Sequence, residues 1–199
     1  MSRVIANAYR HTAASADAIT LDSSGNVTFP ANATCSGTAT GFGGGKLVNY
    51  SSANETAVVS STAAQGGYSG ALISISYAAA SSSNKLLIIA QVNIATTTSA
   101  AVYATLHVGG SPSSYRGDAD GNRQRISTSQ RTGNDGGLNN HNITTLISSP
   151  ATSSTAYDVR AGHAQDASLT MYLNRTEDDV NQNYEGRCAS SITILEFEP

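Results

Sequence analysis

Tryptophan is absent from this sequence, and 9 tyrosines with 3 phenylalanines are its only aromatic residues. With so few large side chains the core is thin for 199 residues, which leaves self-association as a source of further burial. Charge is scarce as well. Charged residues make up 13% of the chain, and 11 basic against 14 acidic side chains give a net −3. Without a basic excess there is no face to neutralise phosphates, so nucleic acid is not an expected partner. No apolar run approaches the ~20 residues of a membrane-spanning helix. The opening MSRVIANAYRHTAASADA lacks the apolar core and small-residue cleavage site of a secretory signal. Only Cys35 and Cys188 are present. With no sign of an oxidising compartment they are expected to be free, structural thiols.

Small polar residues take the place of what is missing. Ser and Thr together form roughly a quarter of the chain, well above ordinary usage. The β-branched Thr, Val and Ile favour strands, and helical periodicity is weak throughout. Ala18–Asp22, Ser23–Asn26 and Val27–Pro30 read as strand, turn and strand. From Ala31 to Gly45 almost nothing can be buried. That stretch is expected to be ordered only by lying on another chain. Residues 1–45 are therefore read as an extended N-terminal β-arm and residues 46–199 as a head domain.

Short apolar segments separated by turn residues recur through the head: Lys46–Tyr50, Thr56–Ser60, Leu72–Tyr77, Leu86–Ile94, Ala101–Val108, Gln124–Ser129, Asn142–Ile147, Ala156–Ala161, Leu169–Asn174 and Ser191–Phe197. Several alternate with period two, as in Ile73/Ile75/Tyr77 and Leu169/Met171/Leu173. Leu86–Ile89 and Ile192–Leu195 are more continuous, which predicts central strands buried on both sides. Ten strand-length segments with polar loops predict an all-β, antiparallel, jelly-roll-like β-sandwich.

Three stretches carry a family resemblance: Ala18–Phe29, Gly43-Gly44-Gly45-Lys46-Leu47, and the C-terminal third. The last includes Ile147–Ser153 leading into Tyr157–Arg160, then Tyr172–Thr176 and Arg187–Glu196. Together they resemble the β-rich fibre or decoration modules of tailed bacteriophages, particularly those of aquatic phages and cyanophages. The resemblance covers nearly the whole chain and marks no catalytic site. It implies a homotrimer located in the virion, attached through residues 1–45 to capsid or tail proteins, with the sandwich displayed outward and in contact with host surface polysaccharide. Tail fibres carry a long shaft and this chain has scarcely one, so a capsid decoration (cement) protein or stubby head fibre is the alternative. A free carbohydrate-binding lectin is a third.

The candidate chemical motifs have plainer explanations. Gly117–Asn122 places oxygens at alternate positions as a calcium loop does, but Arg123 and Ser129 stand where that loop needs Gly and Glu. Glu177-Asp178-Asp179 with Glu185 contains carboxylates but reads as a solvated loop face rather than a glycosidase pair. His11, His107, His141 and His163 have no metal-ligand spacing and are expected at the surface or in loops. Gly66–Gly70 lacks the preceding strand of a nucleophile elbow and the Lys-Ser/Thr of a phosphate loop. No enzyme activity, cofactor or metal is expected.

Recognition is the remaining expectation. The loops Gly109–Asn122, Gly133–His141, Gly162–Ala167 and Thr176–Arg187 carry Tyr, Arg, Asp and Asn of the kind that sugar binding uses, on the part of a sandwich where binding residues concentrate. Tyr115, Arg116, Tyr184 and Arg187 are the candidate surface-recognition residues. Pairing of Arg175 or Arg187 with Asp178 or Asp179 is the competing expectation.

Overall fold

The computed structural model describes residues 8–9, 12–13, 15–16, 19–24, 26–29, 46–98, 100–131, 137–165, 168–183 and 185–199. The chain divides into two compact units, Met1–Gly44 and Gly45–Pro199. Every described element is a strand. The first unit contains β1 (Ala8–Tyr9), β2 (Ile19–Leu21) and β3 (Val27–Thr28), paired antiparallel in the order β1-β2-β3. Asp22 shapes its turn. Oδ1 accepts from the N–H groups of Ser24 and Asn26, both at 2.9 Å, and Oδ2 accepts from Asn26 Nδ2 at 2.7 Å. A short acidic side chain bonding to the backbone just ahead of it is what makes Asp a turn former. The expected arm from Ala31 to Gly45, with Cys35, lies outside the described residues.

The second unit is an antiparallel β-sandwich. Its strands are β4 (Lys46–Glu55), β5 (Val59–Ala63), β6 (Ile73–Tyr77), β7 (Lys85–Thr96), β8 (Ala101–Val108), β9 (Ser111–Pro112), β10 (Thr128–Arg131), β11 (Asn139–Ser148), β12 (Thr155–His163), β13 (Leu169–Leu173) and β14 (Ser190–Glu198). One sheet runs β10-β8-β12-β6, with β9 folded back on β8. The other runs β4-β14-β7-β13-β5, with β11 on β7. All ten expected head segments overlap a strand. β9 was not legible, being two residues held only by the Gly109-Gly110 turn, where both glycines have positive φ.

Register shows that β13 and β14 are one line of chain interrupted once. Lys85–Gln91 of β7 pair with β14, and Ile94–Thr96 of the same strand pair with β13. β4 and β5 repeat this on the far side. Asn174–Ala189 therefore leaves the sheet as an excursion and returns in register.

Between the sheets lies one core, built by Ile73, Ile75, Val102, Leu106, Tyr157 and Val159 from one side and Leu86, Ile88, Val92, Ile94, Ile192 and Ile194 from the other. Alternate residues of each strand reach it, as the two-residue period demands. The prediction of burial on both faces fails for two strands. Leu86 and Ile88 are fully buried, whereas Leu87 is only half-buried and Ile89 is 41% exposed. On β14, Ile192 and Ile194 are buried while Thr193 and Leu195 are half-buried. Along Lys85–Gln91 of β7 no described element of Gly45–Pro199 packs on the outer side of this sheet, whereas at the other end the outward Asn93 and Ala95 are buried and Arg175 stacks on Tyr172. β8 is buried on both faces, its outward Tyr103, Thr105 and His107 lying under the loops before β6 and after β9.

Polar groups are buried at several places. Glu196 is fully buried and accepts from Tyr77 Oη at 2.6 Å, Asn84 Nδ2 at 2.6 Å and the Ala80 N–H at 2.8 Å. Burial alone would raise its carboxyl. The hydrogen bonds from Tyr77, Asn84 and the Ala80 and Ser81 backbone outweigh that and hold it below the usual range. Burial, and then this same bond, push the Tyr77 phenol above its ordinary value. The histidines overturn expectation: His107, His141 and His163 are buried on strands rather than exposed, and His11 lies outside the described residues. His163 Nε2 lies 2.8 Å from the Ala63 carbonyl. Among the described residues His141 has no partner at either ring nitrogen, and burial pushes its pKa down to about 4. They were misread because a lone His in an alternating strand takes whichever face the register assigns.

Candidate recognition groove and the excursion beside it

The chain leaving β9 is tied down residue by residue. The Ser113 N–H donates to Leu106 O at 2.8 Å, and the Tyr115 N–H to Ser113 Oγ at 3.1 Å. The Gly117 N–H reaches Ile126 O at 3.1 Å, while Arg125 Nε donates to Gly117 O at 2.7 Å. These bonds close the loop between Gly117 and Ile126 into a narrow tongue. Asp120 on it pairs with Arg123 at 2.8 Å in full solvent, so that carboxylate of the calcium-like run has a cationic neighbour. No three His, Cys, Asp or Glu side chains converge as a metal site requires among the described residues.

Between this loop and β11 lies an open groove of about 550 Å³. Tyr115, Arg116, Gly117 and Asp118 form one wall, Ile126 and Ser127 another, and Asn142–Thr145 the third. Tyr115 spans it: its Oη accepts from the Ser148 N–H at 3.1 Å, and its ring remains 42% exposed. Arg116 Nη1 lies 3.5 Å from Arg125 O, and its buried Nε has no partner among the described residues. Asn142 and Thr144 project outward because the alternation that buries Ile143 faces them the other way. The groove thus offers an amide, three hydroxyls, a carboxylate and a guanidinium beside an aromatic ring. That is the donor and acceptor mixture a hydroxyl-rich ligand requires. Among the described residues Asp118 is the one carboxylate lining it, where glycoside cleavage uses a pair.

Of the four candidate recognition residues, the structure brings Tyr115 and Arg116 together in this groove. Arg187 belongs to the excursion and does not line it. It forms a two-pronged pair with Asp179, Nε to Oδ1 at 3.0 Å and Nη2 to Oδ2 at 2.7 Å, which is the competing expectation for that residue. Tyr184 lies outside the described residues. Arg175 stacks on the Tyr172 ring at 3.8 Å and donates to the Thr176 and Glu177 carbonyls. Glu185 accepts from Thr176 Oγ1. Burial, followed by Asp178, raises the Glu177 carboxyl, against the pull of Arg175.

Asn142, Thr144 and Ser127 were not singled out from sequence. The outward alternation of Asn142 and Thr144 was visible, but which loop would face them was not. A row of amides connects the two regions. Asn142 Nδ2 donates to Asn140 Oδ1 at 2.6 Å, Asn140 Nδ2 to Asn93 Oδ1 at 2.9 Å, and Asn93 Nδ2 to the Ala189 carbonyl at 2.8 Å. The groove rim and the base of the excursion are therefore joined by hydrogen bonds. Cys188, at that base, is a free and exposed thiol.

No protein-family model matches this sequence, and no curated protein matches it at a significant level.

Proposed function

We propose that this chain is a structural component of a tailed-phage virion: a short homotrimeric fibre with a jelly-roll-like head that contacts host surface polysaccharide and performs no catalysis. The observation that carries the recognition role is the groove in which Tyr115 and Arg116 meet Asp118, Asn142 and Thr144. The virion assignment rests on the resemblance of Ala18–Phe29, Gly43–Leu47 and the C-terminal third to phage fibre and decoration modules. Residues 1–45 attach the trimer to capsid or tail proteins in this reading. The groove acts by exchanging water for ligand hydroxyls at fixed polar groups, with the Tyr115 ring covering an apolar sugar face.

Two measurements test this. Immunogold labelling of purified particles with antibody to the head reads location, and glycan binding reads recognition. Tail labelling is expected, together with at least about tenfold weaker binding by Tyr115→Ala. Absence from particles, with binding intact, overturns the virion role in favour of a free lectin. Binding unchanged in both Tyr115→Ala and Arg116→Ala overturns the groove.

A second reading, a decoration protein on the capsid, is favoured by the apolar outer side of the six-stranded sheet, where Tyr50 is 67% and Leu146 45% exposed. Such a face suits lattice contacts. Gold distributed over the whole head is the outcome that selects it.

A further inference from the structure

The continuous runs on β7 and β14 have the composition of strands covered on both sides, yet among the described residues of Gly45–Pro199 no element packs over the outward Leu87, Ile89 and Leu195. Register places four of these in a single transverse row: Tyr50 opposite Leu195, Leu195 opposite Leu87, and Leu87 opposite Leu146. The row crosses β4, β14, β7 and β11 from edge to edge. Ile89, 41% exposed, and Leu47, 48% exposed, flank it on either side. Leu47 stands beside Phe197 where β14 shifts register by a bulge. Among the outward positions of these four strands, Lys85 at the margin is the sole charge.

We propose that this face packs against another copy of the chain. The inference rests on the self-association in the reading above and names the surface responsible. Three features argue for a second copy as the occupant. Four strands about 4.8 Å apart, uncovered over about seven residues each, span roughly 450 Å² in projection, somewhat over half of the ~800 Å² each partner contributes to a standard interface. A face with one marginal charge has no sign with which to select an acidic or basic partner, and lacks the basic cluster that holds a protein on anionic lipid. Apolar, aromatic and charge-depleted at its centre, polar beyond, it has the anatomy of an interface core and rim.

The test is sedimentation equilibrium of the full-length chain up to about 100 μM, a range that captures micromolar association. Wild type is compared with Leu146→Lys, Tyr50→Glu and, away from the face, Val180→Lys; circular dichroism verifies folding. The wild type is expected to be oligomeric. Both face variants should raise the association midpoint at least about tenfold, and Val180→Lys should leave it unchanged. Leu146→Ser moves in the same direction and serves if the lysine variant does not fold. An oligomer that persists unchanged in both face variants overturns this surface while leaving self-association standing. A wild type that is monomeric throughout overturns both.

Discussion

Ser190 Oγ donates to Asn174 Oδ1 at 2.6 Å, joining the residue where the chain leaves the six-stranded sheet to the residue where it returns. Both are buried. Asn174 also donates from Nδ2 to the Glu55 and Ala57 carbonyls at 2.7 and 3.1 Å, and Ser190 Oγ accepts from the Asn93 N–H at 3.0 Å. The excursion Asn174–Ala189 is thereby closed at its neck, and β13 continues into β14 as though uninterrupted.

Asn174 combines these bonds with a φ of +65°, a conformation Asn tolerates better than most residues. Asn174→Ala should cost about 3 kcal/mol, from the part-buried Glu55 and Ala57 carbonyls and the buried Ser190 hydroxyl losing their partner, together with backbone strain. Asn174→Gly relieves the strain alone and should recover about 1 kcal/mol of that. Urea denaturation of both variants separates the two contributions; equal losses would leave strain without a role.

Glu196 supplies a pH dependence. Its folded carboxyl is held below its unfolded value near 4.5, so its stabilisation is complete above pH 4.5 and is lost as pH falls through the folded value. Glu196→Gln should reduce stability at pH 7 by about 2 kcal/mol and flatten the acid limb below pH 4.5. Denaturation midpoints measured from pH 7 to pH 3 check both effects.

His141 acts in an adjoining window. Burial lowers its pKa from 6.5 to about 4, so the unfolded chain takes up a proton at a pH where the folded one does not. Stability is then full above pH 6.5 and declines as pH falls from 6.5 towards 4, by up to about 3 kcal/mol. His141→Phe, of similar shape and with no nitrogen to satisfy, should remove that decline at little cost at pH 7. Histidine NMR titration reads the pKa directly; a value near 6.5 would contradict the burial argument.

Gly162 lies on β12 with the Tyr103 ring and the Gly67 carbonyl occupying the space where a Cβ would stand. Tyr103 Oη donates to that same carbonyl at 3.1 Å. Gly162→Ala should destabilise the sandwich by 3 kcal/mol or more, since backbone has to move; the order of magnitude is about that of the larger core substitutions. A melting temperature within a few degrees of wild type would show that the loop yields easily.

Much of the fold was legible along the chain because a half-buried strand writes its face into alternate residues. Ile73/Ile75/Tyr77 and Leu169/Met171/Leu173 point inward as their spacing required. Alternation says which residues share a face, but not what covers the opposite one. Leu87 and Ile89 share the composition of buried neighbours and remain uncovered, while Thr105 and His107 look solvent-facing and lie under loops. The recognition candidates divided for the same reason. Tyr115 and Arg116 meet Asn142 and Thr144 across about 30 residues of sequence through the packing of a loop on an edge strand, and Arg187 found a carboxylate on its own excursion.

The sequence by itself determined an all-β chain, its ten principal strands and the identity of most inward side chains, since period-two patterning and local turn chemistry act over neighbouring residues. Only the tertiary structure decided register and the order of strands in each sheet, because long-range pairing is set by which apolar faces fit together. From that came the interrupted line of β13 and β14, the buried histidines, the groove beside β11 and the uncovered apolar row.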